Sequence, residues 1–168
     1  MGIKEEPASS EMTKSSNVSC TKSITSSHSS TLPSEVALNK EEKKPRILAI
    51  DDYEAILSLF SRILSLNGYQ VECASNGQEA LAKIQDADYD VMICNVSMPV
   101  MDGLTFYREL VRTSPDLATR VVFCTGAATP ETRSLFFRMG RDVLLKPFQI
   151  EELHRVVERV LNACSICI

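Results

Sequence analysis

From Arg46 onward the sequence alternates between two hydrophobic periods, and this alternation constrains its fold more than any other feature. Five short segments, Ile47–Ile50, Gln70–Ala74, Val91–Cys94, Arg120–Cys124 and Val143–Leu145, have the length and apolar content of strands. Several are apolar without interruption, as strands buried on both faces must be. Between them, apolar residues recur at helical spacing. The stripes are Ile56, Leu59, Phe60, Ile63 and Leu64; Ala80, Leu81 and Ile84; Leu104, Tyr107 and Val111; Leu135, Phe136 and Met139; and Leu153, Val156, Val157, Val160 and Leu161. Asn67-Gly68 and Gly140 fall where left-handed helix caps belong. Asn76-Gly-Gln-Glu79 predicts a capping box, and Thr129-Pro130 an N-cap with proline in the first helical turn. Five strands alternating with five helices predict an α/β, doubly wound parallel sheet.

In such a sheet, chemistry gathers at the carboxyl ends of the strands. The first strand ends in Asp51-Asp52, the third in Asn95, the fourth in Thr125 and the fifth in Lys146-Pro147. Taken alone, Asp51-Asp52 suits an acidic turn opening a helix, where carboxylates meet the positive dipole end. Together the four ends place on one rim two carboxylates for a hard cation, a lysine and a hydroxyl. These are parts for handling a phosphoryl group by positioning and charge neutralisation.

Four stretches carry a closer likeness: Ile50-Asp51-Asp52, Met98-Pro99-Val100-Met101-Asp102-Gly103, Thr125-Gly126-Ala127 and Lys146-Pro147-Phe148. In this order and spacing, roughly residues 45 to 162 resemble the receiver domain of two-component response regulators. The resemblance implies a flavodoxin-like fold with strand order 2-1-3-4-5 and a non-enzymatic signalling module of a phosphorelay. It implies that Asp52 is a direct magnesium ligand, that Asp51 acts through metal-bound water, and that the Ser97 backbone carbonyl is a third ligand. Lys146 would contact the acceptor carboxylate or the phosphoryl group, and Thr125 would move toward that group on activation. Implied partners are a histidine kinase, a phosphotransfer protein or another signalling protein. A homodimer through the fourth helix, fifth strand and fifth helix is also implied, with Phe136, Phe137 and Arg138 partly exposed on that face.

The chain departs from this pattern at the acceptor. The family's aspartate stands four residues before the loop proline, and counting back from Pro99 gives Asn95. An amide lacks the charge and nucleophilicity of a carboxylate, so the usual acyl phosphate cannot form on it. With two carboxylates in place of three, magnesium is expected to bind weakly. Val143 stands where receivers usually carry the switch aromatic, three residues before the lysine. The expected activity is therefore signalling by protein contact without aspartyl phosphorylation. Two alternatives are phosphoryl acceptance after Asn95 deamidates, and an Asp→Asn variant of an ordinary receiver.

The remaining sequence excludes several classes. Net charge is -4 with no basic block, which argues against nucleic acid or anionic membrane as a main partner. No apolar run approaches the ~18 residues of a membrane span, so a cytoplasmic location is expected. Serine and threonine make up about a third of residues 1–44, which are expected to form a disordered tail ending in Lys40-Glu-Glu-Lys-Lys44 and Pro45. Residues 163–168 are expected to form a short tail, with no output domain after it. Cys94 and Cys124 lie in strand segments and read as buried small hydrophobes. Cys164-Ser-Ile-Cys167 has CxxC spacing but follows a helix and lacks a second pair, so a redox or zinc role is the weakest reading.

Overall fold

A strand covered on both faces must send apolar side chains both ways, and three segments of this chain do so. They are β1 (Arg46–Ile50), β3 (Val91–Asn95) and β4 (Val121–Thr125), all buried apart from half-buried Arg46. The more exposed β2 (Gln70–Ala74) and β5 (Asp142–Leu145) form the two edges. The computed structural model describes residues 43–126 and 129–165. Its sheet is parallel throughout, with strand order β2-β1-β3-β4-β5. Registers such as Ile50↔Cys94 and Thr125↔Leu145 bring the carboxyl ends of the strands to one rim.

Alternate strand residues feed two cores. On one face, Ile47, Ala49, Ile93, Val122 and Leu144 meet Phe60, Ile63 and Leu64 of α1 (Glu54–Leu66) and Leu153, Val156, Val157 and Val160 of α6 (Ile150–Ser165). On the other, Leu48, Met92, Cys94 and Phe123 meet α2 (Gly77–Asp86), α3 (Gly103–Thr113) and α5 (Pro130–Arg138) through Ala80, Phe106, Leu110 and Phe136. The predicted caps are present. Asn76 accepts from the Glu79 N–H, while Glu79 reaches back to the Ser75 N–H at 2.8 Å. Gly68 and Gly140 have positive φ, and each sits in paired hydrogen bonds that close a helix end, such as Tyr69 N–H to Leu64 O and Gly68 N–H to Ser65 O.

Several expectations need correction. Six helices stand among the described residues, not five. The extra one is α4 (Pro115–Ala118), a short turn that Pro115 favours because its fixed φ suits a first helical position. The buried line of α3 is Phe106 and Leu110; Leu104 and Tyr107 flank it, and Val111 is about half exposed. Helix α6 runs to Ser165, past residue 162. Apart from Lys43 and Lys44, the Ser/Thr-rich segment lies outside the described residues, as do Ala127 and Cys167. Among the described residues, no helix is long and apolar enough to cross a membrane.

Candidate functional site

The rim is built from backbone outward. After β1, the Asp51 N–H still bonds to Ala74 O of β2 at 3.1 Å, so the ladder delivers Asp51 to the sheet edge before the chain turns. Its side chain is fully buried. One carboxylate oxygen accepts from the Tyr53 N–H at 3.0 Å, an Asx turn that leads into α1. The other accepts from Lys146 Nζ at 2.5 Å. Lys146 is set in place by its own N–H, which bonds to Thr125 O at 2.8 Å. Thr125 is itself buried at the end of β4. The Lys146–Pro147 peptide is cis, and the ring of Phe148 stacks on Phe60 with centroids 5.5 Å apart.

Asn95 ends β3 with only 8% of its surface exposed. Its amide nitrogen donates to Asp52 Oδ1 at 3.0 Å and to the Ser97 carbonyl at 2.8 Å. Asp51, Asp52, Asn95, Ser97 and Lys146 thus form two pieces: an Asp51–Lys146 ion pair and an Asp52–Asn95–Ser97 bridge. The lysine pairs with Asp51. Val143 stands opposite Phe123 in the β4–β5 register and packs into the core as an aliphatic residue. Of the face expected to expose Phe136, Phe137 and Arg138, Phe136 is fully buried and stacks on Phe123 at 4.5 Å, while Phe137 is 86% exposed.

The loop after Asn95 is tightly held. The Gly103 N–H bonds to Val96 O, and a Cβ on Gly103 would stand 2.3 Å from Asn95 O, a distance no side chain tolerates. Met101 N–H bonds to Pro99 O around Val100, whose φ of 67° is unusual for a β-branched residue and costs of order 1–3 kcal/mol. Neither the closeness of Gly103 nor the strain at Val100 was read from the sequence. The only sequence signal was a glycine at the end of the loop. The buried thiols behave as expected for small hydrophobes. Burial pushes Cys124 up to about 12 and Cys94 higher still, so neither is a thiolate at neutral pH. Cys164 is a free thiol.

Each residue implied as a magnesium ligand already accepts a hydrogen bond. Asp52 and the Ser97 carbonyl both accept from the Asn95 amide, and Asp51 is taken by Lys146 and the Tyr53 N–H. Hard-cation sites need several free oxygens converging on one point.

The open parallel α/β sheet thus carries Asp51, Asp52, Asn95, Thr125 and Lys146 at its carboxyl rim, with Lys146 paired to Asp51. The model of the response regulator receiver domain matches residues 47–158, and the chain belongs to that family. It is 34% identical over 122 residues to the regulatory protein AtoC of Escherichia coli, covering 72% of this chain and 26% of that protein. It is 39% identical over 117 residues to the response regulator MprA of Mycobacterium leprae, covering 70% and 51%. The chain thus spans about half or less of these curated relatives. Among solved structures, the chemotaxis protein CheY4 of Vibrio cholerae matches with TM-score 0.65 and 38% identity, over 70% of this chain and 99% of that one. A receiver domain from Clostridium thermocellum matches with TM-score 0.67 and 26% identity, over 74% and 99%.

Proposed function

We propose that this receiver domain signals by protein contact, without forming an aspartyl phosphate. The observation that carries this reading is Asn95 at the end of β3, with its amide hydrogens spent on Asp52 and Ser97. The amide holds its nitrogen lone pair in conjugation, so no nucleophile stands where the phosphoryl group would be received. Asp51 is no substitute, being buried and held by Lys146. Magnesium binding is weak for the same reasons. The partners are a histidine kinase or phosphotransfer protein, or another signalling protein of the phosphorelay. Two surfaces support contact: the largely exposed Phe137 on α5, on the face expected to pair in a homodimer, and an apolar groove of Ile56, Leu59, Pro147 and Phe148 beside Lys146. The Ser/Thr-rich segment over 1–44 precedes the domain at 45–162, and the setting is cytoplasmic.

The test is incubation of the purified chain with magnesium and a small phosphodonor, followed by intact mass measurement. The native chain is expected to gain nothing. Asn95→Asp restores the acceptor within the same Asp51, Asp52, Thr125 and Lys146 frame and is expected to gain one phosphoryl mass. A phosphoryl gain on the native chain, with Asn95 checked as unmodified, overturns the reading.

A further inference from the structure

We propose that the Asn95 side-chain amide takes the place of a divalent cation in this pocket, holding Asp52 and the Ser97 carbonyl together without metal. The inference rests on the reading of Asn95 given above and carries it further. The two oxygens that would converge on a hard cation, Asp52 Oδ1 and Ser97 O, instead converge on the Asn95 amide nitrogen at 3.0 and 2.8 Å. A primary amide has two N–H donors, and this one uses both. One N–H goes to each oxygen, so the amide bridges what would otherwise be two mutually repelling oxygens, one charged and one carbonyl, much as a cation does but at hydrogen-bond length.

Magnesium requires oxygens at about 2.0–2.1 Å in near-octahedral array. To reach that distance it must displace both hydrogen bonds and turn the amide over, because only the amide Oδ1, and not its conjugated nitrogen, can coordinate a hard cation. Asp51 is not poised to replace the lost contacts. Asp51 Oδ2 stands against the Lys146 ammonium at 2.5 Å, and its other oxygen is bound by the Tyr53 N–H. Both acids therefore have an internal positive or polar partner, so the pocket is held together by its own residues. A partner docking over this rim meets one fixed arrangement of Asp52, Asn95 and Lys146 at any magnesium concentration.

Thermal unfolding of the full chain and of Asn95→Asp, each in EDTA and in magnesium, tests this. At about 10 mM magnesium the native midpoint is expected to match that in EDTA, while Asn95→Asp is less stable in EDTA and rises by roughly 4 °C or more with the metal. A saturable rise of the native midpoint overturns the inference, as does an Asn95→Asp midpoint that ignores the metal. If that variant does not fold, manganese added to the native chain decides. No selective broadening of the Asp52 and Ser97 backbone amide NMR signals is expected, and selective broadening there overturns the inference. Magnesium binding without phosphoryl gain would sink the cation replacement and leave the proposed function standing; phosphoryl gain would sink that function.

Discussion

The two rims of the sheet carry polar networks of similar size but opposite physics. At the amino-terminal rim, Arg46 pairs with Glu72 at 2.5 Å, the Tyr89 hydroxyl donates to the same carboxylate at 2.9 Å, and the guanidinium lies over the Tyr89 ring. The Arg46 N–H is bound by Asp90, and Arg120 donates to Tyr89 O. The Arg46 and Glu72 side chains are 29% and 41% exposed, so water screens their charges. At the carboxyl rim, Asp51 has no exposure at all and Lys146 little. A screened pair fastens neighbouring strands at small cost. A buried pair must first repay the desolvation of its charges, and stability alone does not account for it. The difference separates a fastening from a site within one sheet.

Removing a partner from each rim should therefore have unequal effects. Lys146→Met leaves Asp51 buried without its ammonium and is expected to lose about 3 kcal/mol, the lower end of the range for breaking a buried pair because the lysine keeps some access to water. Urea unfolding of the native chain and the variant gives the value. If Asp51→Asn in the Lys146→Met background recovers most of the loss, the cost is confirmed as that of an uncompensated charge. A loss no larger than that of a single amino-terminal-rim substitution would break the contrast.

Gly103→Ala probes the same rim through packing. The added methyl meets Asn95 O at 2.3 Å, which is backbone and cannot yield cheaply. A loss of about 1–3 kcal/mol is expected. A shift of the Asn95 side-chain NH2 resonances should accompany it, because β3 must move where it carries that residue. Lost stability with unmoved amide resonances would mean that the strain relaxes into the loop and spares the site.

Much of this was legible in the sequence, for reasons tied to period and chain-local chemistry. Strand segments such as Val91–Cys94 show themselves because both faces need apolar residues, and Asn76 and Thr129 because a cap acts within three residues. The rim residues were legible because the strand ends lie in order along the chain. Side-chain pairing was not. Asp51 and Lys146 are 95 residues apart, and whether the lysine turns to Asp51 or to Asn95 depends on charges that meet only in the folded sheet. The phase of α3 was missed because Leu104, Tyr107 and Val111 also satisfy helical spacing; only packing against β3 and β4 selects Phe106 and Leu110. Phe136 belonged both to the apolar stripe and to the face expected to be partly exposed; adjacent helix positions point about 100° apart, and the stripe reading is the one that holds, with Phe136 buried and Phe137 exposed.

Tyr89→Phe gives the smallest effect and sharpens the comparison from the fastening side. It removes one hydroxyl while leaving the Arg46–Glu72 pair intact, so about 1 kcal/mol is expected at neutral pH. The pH dependence identifies its source. Burial, reinforced by the bond to Glu72, pushes the Tyr89 hydroxyl from 10.0 up to about 12. Above its ordinary value the unfolded chain releases this proton while the folded chain keeps it, so the native state is penalised. The contribution is fully present below about pH 10 and is lost as the pH rises toward about 12. The variant has no such proton. Its deficit against the native chain should shrink across that window, and denaturant midpoints at pH 7, 10 and 11 would show it. A deficit constant with pH would mean that the phenol serves only to fill space, and that the bond to Glu72 contributes nothing to holding β2 against the segment before β3.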